Sequence, residues 1–167
     1  MRRIKDYVLQ EEVGRGAYST VYKCICLTDQ NTNKDEAKQR KLYACKLFTR
    51  SKMNQRMLKN LHEETVSIRK LCHHPNIIRQ FASFKTKRHF YLIVEYCNAG
   101  DLETLLEQGL YMSERHVRFV YREVLKGMKS MNELGILHRD IKNANILLNM
   151  PKINPSQGGG GFLQGNG

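Results

Sequence analysis

The segment His138-Arg139-Asp140-Ile141-Lys142-Asn143-Ala144-Asn145-Ile146-Leu147-Leu148 decides how this 167-residue chain is interpreted. Charged and amide side chains alternate through its first part, and an apolar run that is typical of a strand follows directly. A functional site is therefore expected here, and the motifs that precede the segment determine what kind of site it is.

A glycine-rich stretch lies between two β-favouring segments near the amino terminus. It reads Gly14-x-Gly16-x-x-Ser19-x-Val21, with serine as its third small residue. Small residues at such a turn let backbone amides approach phosphate oxygens closely. By itself, a glycine-rich hairpin is more often an ordinary turn, so both interpretations stay open at this point.

A lysine on a predicted strand and a glutamate on a predicted helix form a second pair of candidates. Side chains alternate along a strand, so Ala44 and Lys46 share one face. In the following helix, Glu64 falls inside the apolar stripe, whereas Glu63 falls on the polar face. A carboxylate in an apolar stripe favours a partner of opposite charge, and Lys46 could supply it. The alternative is that both glutamates are solvated.

Together these motifs resemble those of the protein kinase family, whose catalytic loop reads His-Arg-Asp-x-Lys-x-x-Asn. The resemblance covers roughly residues 5–149, and the glycine turn, the strand lysine and the helix glutamate occur in the family's order. It implies an α+β fold in which a five-stranded antiparallel sheet and one long helix form an N-lobe, residues 1–97. Residues 98–149 would be the first helices of a truncated helical C-lobe, and residues 150–167 a flexible glycine-rich tail.

Apolar periodicity, together with residues that begin or end helices, sets the expected boundaries of these elements. The long helix is expected over residues 53–72 and a polar surface loop over residues 29–40. A short helix is expected over residues 101–107. A longer helix with Ser113 as its N-cap follows and stops at Gly135. The five strands are expected at residues 7–13, 20–27, 41–48, 77–84 and 89–95.

The resemblance also implies a role for each matching residue. Gly14, Gly16 and Ser19 would cover the phosphates of ATP, and Lys46, paired with Glu64, would hold its α- and β-phosphates. Asp140 would accept or orient the hydroxyl proton of a serine or threonine in a protein substrate, Lys142 would steady the transferred phosphoryl group, and Asn145 would bind magnesium. The remaining candidates would contact the nucleoside: Val21, Ala44 and Leu147 around the adenine, Val94 behind it, the backbones of Glu95 and Cys97 at its edge, and Asp101 at the ribose.

The sequence departs from the family pattern after the catalytic loop. The family places Asp-Phe-Gly shortly after this strand, but no aspartate occurs after Asp140 in this sequence. The main magnesium ligand is then missing, and the apolar face between Val117 and Met131 is expected to lack a partner. Either a truncated product or an incomplete gene model would explain the departure, and the abrupt glycine-rich tail favours the second.

Composition excludes several other classes of protein. Apolar residues make up 41% and charged residues 26%, as in globular proteins, and no apolar run is long enough to span a bilayer. The five cysteines have no paired metal spacing, so reduced thiols are expected. The amino terminus lacks the apolar core of an export signal, which indicates a cytoplasmic location, with the nucleus as an alternative.

Three functions compete at this point. The first is a serine/threonine protein kinase domain whose activity as this chain is uncertain. The second is a pseudokinase-like module that binds a nucleotide or a partner without catalysis, favoured by the missing Asp-Phe-Gly. The third is nucleic-acid binding, which has only the net charge of +12 behind it. The basic residues are interleaved with acids along the sequence, so no nucleic-acid partner is expected.

Overall fold

A computed structural model describes residues 2–29, 41–71 and 73–150, except the side chains at positions 62, 64, 67 and 68. The expected loop over residues 29–40 therefore lies outside the described residues apart from Asp29, as does the expected tail after Met150. Two compact units divide the chain. One comprises Met1–His73 and Ile78–Tyr96, and the other comprises His74–Ile77 and the chain from Cys97 onward.

The first unit is built on an antiparallel sheet with the strand order β1-β2-β3-β4-β6-β5. The strands are β1 (Arg2–Ile4), β2 (Tyr7–Arg15), β3 (Ser19–Cys26), β4 (Leu42–Thr49), β5 (Gln80–Lys85) and β6 (His89–Glu95).

The expected count of five strands is corrected to six, because Arg2–Ile4 pairs with Val8 and its neighbours in β2. This segment contains two adjacent arginines, so it lacks the apolar alternation that predicts a strand. An edge strand needs little apolar surface. The turn that follows it holds Lys5 at φ 51°. Pairing with β2, rather than intrinsic preference, thus makes this segment a strand.

One face of the sheet holds the main core. Cys24, Cys45 and Ile93 are fully buried there, and Tyr43 and Tyr91 surround them. Burial raises the pKa of the Cys24 and Cys45 thiols to about 12, so both stay protonated. Neither thiol is part of a disulfide.

The opposite face receives the long helix α1 (Gln55–Lys70). Asn54 begins it, since its Oδ1 accepts a hydrogen bond from Met57 N at 2.8 Å. Leu61 packs with Phe48 and Leu92 of the sheet. The helix is shorter at both ends than its apolar period predicts, which is usual because helix ends fray.

The second unit carries two helices, α2 (Leu102–Glu107) and α3 (Glu114–Glu133). Ser113 is the N-cap of α3, as the sequence predicts, and its Oγ accepts a hydrogen bond from His116 N. Gly135 has φ 68°, the left-handed conformation that ends a helix at little cost. No helix among residues 2–29, 41–71 and 73–150 is long and apolar enough to cross a membrane.

Candidate active site

The predicted catalytic loop forms a compact polar cluster in the second unit. Asn145 Nδ2 donates hydrogen bonds to Asp140 Oδ2 at 2.9 Å and to Asp140 O at 2.8 Å. Lys142 Nζ lies 3.2 Å from the same Oδ2. Asn145 ends a short 3-10 helix, Asn143–Asn145, which turns the chain back toward Asp140. The structure thus brings together the three residues that the sequence predicts to be catalytic.

This cluster controls the charge of Asp140. The contact with Lys142 and the hydrogen bond from Asn145 hold the pKa of the Asp140 carboxyl below its usual range. The carboxylate is solvent-exposed, so it is ionised at neutral pH and open to a ligand. Its oxygens have further lone pairs, which can accept a hydrogen bond from an O–H or N–H group of a bound molecule.

Backbone strain occurs beside this carboxylate. Arg139 has φ 64°, a left-handed conformation that costs a residue with a Cβ on the order of 1–3 kcal/mol. The N–H of Asp140 donates to His138 Nδ1 at 3.3 Å, a contact inside the same bend. Strain of this kind persists where surrounding contacts hold it, and it occurs preferentially at functional sites.

Backbone hydrogen bonds connect the start of α2 to the residues that follow the catalytic loop. Leu148 N donates to Gly100 O at 2.8 Å and Leu102 N donates to Ile146 O at 2.9 Å. These bonds set Asp101 directly opposite Leu147. Two predicted nucleoside contacts, distant in sequence, therefore lie side by side in the second unit.

Asp101 has a structural role that sequence reasoning missed. It is the N-cap of α2, because its Oδ1 accepts from Thr104 N at 2.8 Å and its Oδ2 accepts from Thr104 Oγ1 at 2.9 Å. An aspartate directly before a helical pattern is the usual signal for such a cap. Its predicted contact with a ribose stays a prediction.

In the first unit, the glycine-rich stretch is the turn between β2 and β3. Gly16 N donates to Ser19 O at 2.8 Å, which closes the turn, and Ala17 and Tyr18 at its tip are exposed. A Cβ at Gly14 would meet Val21 Cβ at an ordinary 3.9 Å, so crowding within this unit does not require glycine there. Gly14 also follows a register shift between Glu12 and Gly14, an irregularity of the strand that glycine tolerates. Its predicted contact with ATP phosphates stays a prediction.

Strand register places the other candidates of this unit on one face. Gly14 pairs with Val21, Val21 with Lys46, and Lys46 with Leu92, which makes a row across four strands. Ala44 pairs with Val94 in the adjacent row, two residues along β4. Residues directly opposite each other share a face, so five predicted contacts lie together on the face that α1 also covers.

Lys46 is exposed on this face, and its Nζ lies 5.4 Å from the centre of the Phe48 ring. The predicted ion pair with Glu64 stays a prediction, because the side chain of Glu64 is outside the described residues. Glu63 lies on the exposed face as predicted, 3.8 Å from Lys59. Thr65 is buried and donates to Leu61 O at 2.6 Å, a burial that the apolar pattern did not reveal.

Glu95 and Cys97, the two predicted contacts at the adenine edge, lie in sequence on either side of the boundary between the two units. Glu95 is the last residue of β6, and its N–H already donates to Arg79 O at 2.8 Å. Its carbonyl is therefore the backbone group to consider for a ligand. Cys97 is half-buried and begins the longer part of the second unit.

The resemblance implies a bound magnesium ion, but the described residues offer few ligands for it. Asn145 can offer its amide oxygen, because the amide nitrogen makes the contacts with Asp140. Within residues 2–29, 41–71 and 73–150, no three His, Cys, Asp or Glu side chains are grouped so as to hold a metal. Magnesium usually needs one or two carboxylates besides phosphate oxygens. The described residues thus do not form a magnesium site by themselves.

Comparison with known proteins assigns this arrangement to a family. A structure of Rad53 residues 1–466 in complex with AMP-PNP superposes with a TM-score of 0.68 at 28% identity, covering 87% of this chain and 35% of that one. The serine/threonine-protein kinase dst1 of Dictyostelium discoideum is 32% identical over 86% of this chain and 18% of its own length. ULK3 of Xenopus laevis, also a serine/threonine-protein kinase, is 31% identical over 87% of this chain and 29% of its own length.

The chain therefore spans less than a third of either of these curated relatives. The family model described as the protein kinase domain matches residues 7–154, which include the glycine turn, Lys46 and the Asp140 cluster. With a match over most of its length, the chain belongs to the protein kinase family.

Proposed function

We propose that this chain is the nucleotide-binding and catalytic-loop part of a kinase that transfers phosphate from ATP to serine or threonine in proteins. The observation that carries the proposal is the cluster in which Lys142 and Asn145 both contact the Asp140 carboxylate. The named relatives are serine/threonine-protein kinases, which supports the choice of acceptor. We further propose a location in the cytoplasm or the nucleus.

We assign contacts with ATP to groups in each of the two units. The glycine turn would cover the phosphates with backbone N–H groups, and Lys46 would contact the α- and β-phosphates. Val21, Ala44 and Val94 would contact the adenine from the first unit, and Leu147 and Asp101 would contact the nucleoside from the second. The complex of the Rad53 relative with AMP-PNP supports nucleotide binding by this family's fold.

In the transfer step, the hydroxyl oxygen of the substrate would bond to the γ-phosphorus while the bond from that phosphorus to its bridging oxygen breaks. The bridging electrons leave with ADP, and the hydroxyl proton passes to Asp140. Because the pKa of Asp140 is low, it would orient the hydroxyl first and take the proton late. Lys142 would balance the charge of the moving phosphoryl group.

For a polypeptide of these 167 residues alone, we propose nucleotide binding without appreciable phosphoryl transfer. No aspartate follows Asp140 to complete a metal site, and positioning and charge neutralisation supply most of the rate in phosphoryl transfer. This is the pseudokinase-like alternative applied to the present chain. It also implies weak ATP binding that depends little on magnesium.

Two measurements test the proposal. Calorimetry with ATP, with and without magnesium, should give weak binding that Lys46→Ala removes. Transfer of radiolabelled phosphate to a generic basic protein should stay at background for both the chain and its Asp140→Asn variant. Transfer above background that vanishes in Asp140→Asn would refute inactivity of this chain, and a chain that does not bind ATP at all would refute the proposed function.

A further inference from the structure

Two basic turns meet at one end of the sheet, although they are far apart in sequence. One follows β4 and contains Arg50 and Lys52. The other comprises Lys85, the last residue of β5, and the connection to β6 with Lys87 and Arg88. We call these five residues the basic turns. Arg50 N donates to Arg88 O at 3.0 Å, so the two segments are in direct contact.

Hydrogen bonds hold the basic turns in place. The Arg50 guanidinium donates to Thr86 O at 3.0 Å and to Lys87 O at 3.2 Å. The β5–β6 turn is also closed on itself, because Thr86 N donates to His89 O at 2.8 Å and His89 N donates to Thr86 Oγ1 at 3.0 Å. All four residues from Lys85 to Arg88 are exposed. Their cations therefore project from an ordered tip.

The basic turns have no acidic residue in their own segments, 49–53 and 85–89. Among the ion pairs of the described residues, none involves Lys52, Lys85, Lys87 or Arg88. The pKa of His89 lies below its usual range, through desolvation first and then through Arg2 and Arg88. This end of the sheet thus concentrates positive charge without an acidic counterpart in either turn.

The opposite end of the sheet differs in this respect. Its segments carry Lys5, Lys41 and Arg79, but also Asp6, Asp29 and Glu95. Its cations lie over aromatic rings, as Lys41 does at 4.8 Å from the centre of Phe81. Among the described residues, excess positive charge is therefore a property of one end of the sheet.

The composition of the basic turns indicates the kind of anion. Nη1 of the Arg50 guanidinium donates to two carbonyls and its Nε is buried, so this cation is held within the protein. Most of the other cations are lysines, which act as point charges without a fixed geometry. Such a surface recognises a density of negative charge rather than one phosphate group of defined shape. A projecting tip also fits a plane better than it fits a nucleic-acid strand, which is usually held in a groove with stacked aromatic rings.

An exposed aromatic side chain lies beside these cations. Tyr18 is 47% exposed at the tip of the glycine turn, and Thr49 N donates to its carbonyl at 3.3 Å, next to Arg50. Tyrosine is enriched where protein meets the headgroup region of a bilayer. Clustered lysines and arginines favour an anionic leaflet. We propose that the basic turns dock on the surface of a bilayer that contains anionic lipids, a property independent of the proposed phosphoryl transfer.

The test is co-sedimentation of the full chain with phosphatidylcholine vesicles that contain about 30% phosphatidylserine, at about 0.15 M salt. The variant Lys85→Gln, Lys87→Gln, Arg88→Gln should lower the partition coefficient on the order of 100-fold. A matched control, Arg115→Gln, Arg122→Gln, Lys129→Gln, removes the same charge from α3 and should stay within about twofold of the parent chain. ATP binding should be unchanged in both.

Two further variants separate charge from structure. The swap Lys85→Arg, Lys87→Arg, Arg88→Lys keeps the charge and should keep partitioning. Lys52→Gln, on the other turn, should weaken it by roughly fivefold even if the triple variant fails to fold.

The proposal is overturned if the parent chain does not prefer the anionic vesicles, or if both triple variants lose binding equally. It is also overturned if duplex or single-stranded DNA displaces the vesicles and shows the same dependence on Lys85, Lys87 and Arg88 with tighter binding. That result would identify a nucleic-acid surface instead.

Discussion

The two units of this chain differ in how deeply they bury their apolar side chains. In the first unit, Ile93 is 0% exposed within a core to which both central and edge strands contribute. In the second, Val117, Leu125 and Leu137 are about half exposed or more, and Gly127 is the buried residue of α3. The expectation that the apolar face of α3 lacks a partner stays a prediction.

This difference in burial means that the two units are stabilised in different ways. The sheet closes its own core and supports the Lys46 face rigidly, because its side chains have apolar neighbours. The catalytic cluster instead depends on hydrogen bonds and caps in a unit where α2 buries Leu102 and Leu105 but several apolar side chains of α3 are exposed. Substitutions in the two units should therefore have unequal effects, and the following predictions range from the largest to the smallest.

Ile93→Ala should destabilise the first unit by about 2–5 kcal/mol, because it leaves a cavity in a packed core. Leu137→Ala, at a 67% exposed site, should change stability by less than about 0.5 kcal/mol. Hydrogen exchange of amides in β6 and α3 reports each unit separately. Equal effects of the two substitutions would remove the contrast between the units.

Gly127→Val should destabilise the second unit by about 1–3 kcal/mol. Even a Cβ at this position would lie 3.1 Å from Asn76 O, on the His74–Ile77 segment that packs against α3. That segment is also held by the hydrogen bond from Asn76 Nδ2 to Glu123 Oε2 at 3.0 Å. Lys129→Val, on the exposed side of α3, is the control in a urea titration, and an equal loss there would mean that crowding against Asn76 is not the cause.

Asp101→Ala should destabilise α2 by about 1 kcal/mol through loss of its N-cap, whereas Asp101→Asn should be nearly neutral because asparagine caps equally well. Thermal unfolding followed by circular dichroism measures both. If asparagine and alanine cost the same, the cap is not the role of this carboxylate. Calorimetry with ATP on the asparagine variant then asks separately about the predicted ribose contact.

Lys142→Met should raise the pKa of Asp140 toward its usual value, since Lys142 is the main cause of the depression. A carboxyl with a lowered pKa in the folded state contributes stability above its unfolded pKa. This contribution disappears as the pH falls through the folded value. The carboxyl chemical shift of Asp140 in an NMR titration measures the change. An unshifted pKa would mean that the exposed contact at 3.2 Å is broken in solution.

Much of the local structure was predictable because its causes lie close together in sequence. The cap at Ser113 and the stop at Gly135 bound α3 as expected. The alternation of β4 correctly separates Tyr43 and Cys45 from Ala44 and Lys46. The Asp140 cluster was also predictable, since its members lie within six residues of one another and match a known motif.

Tertiary structure decided what depends on contacts between distant segments. Strand register, which sets Val21 opposite Lys46 and Lys46 opposite Leu92, cannot be read from one strand alone. The sixth strand exists because β2 offers it an edge, and Thr65 is buried because of where α1 lands on the sheet. Arg50 and Arg88 are far apart in the sequence, but the fold brings their backbones into contact. The sequence by itself thus determined the residues and their local conformation, whereas long-range packing determined which of them meet.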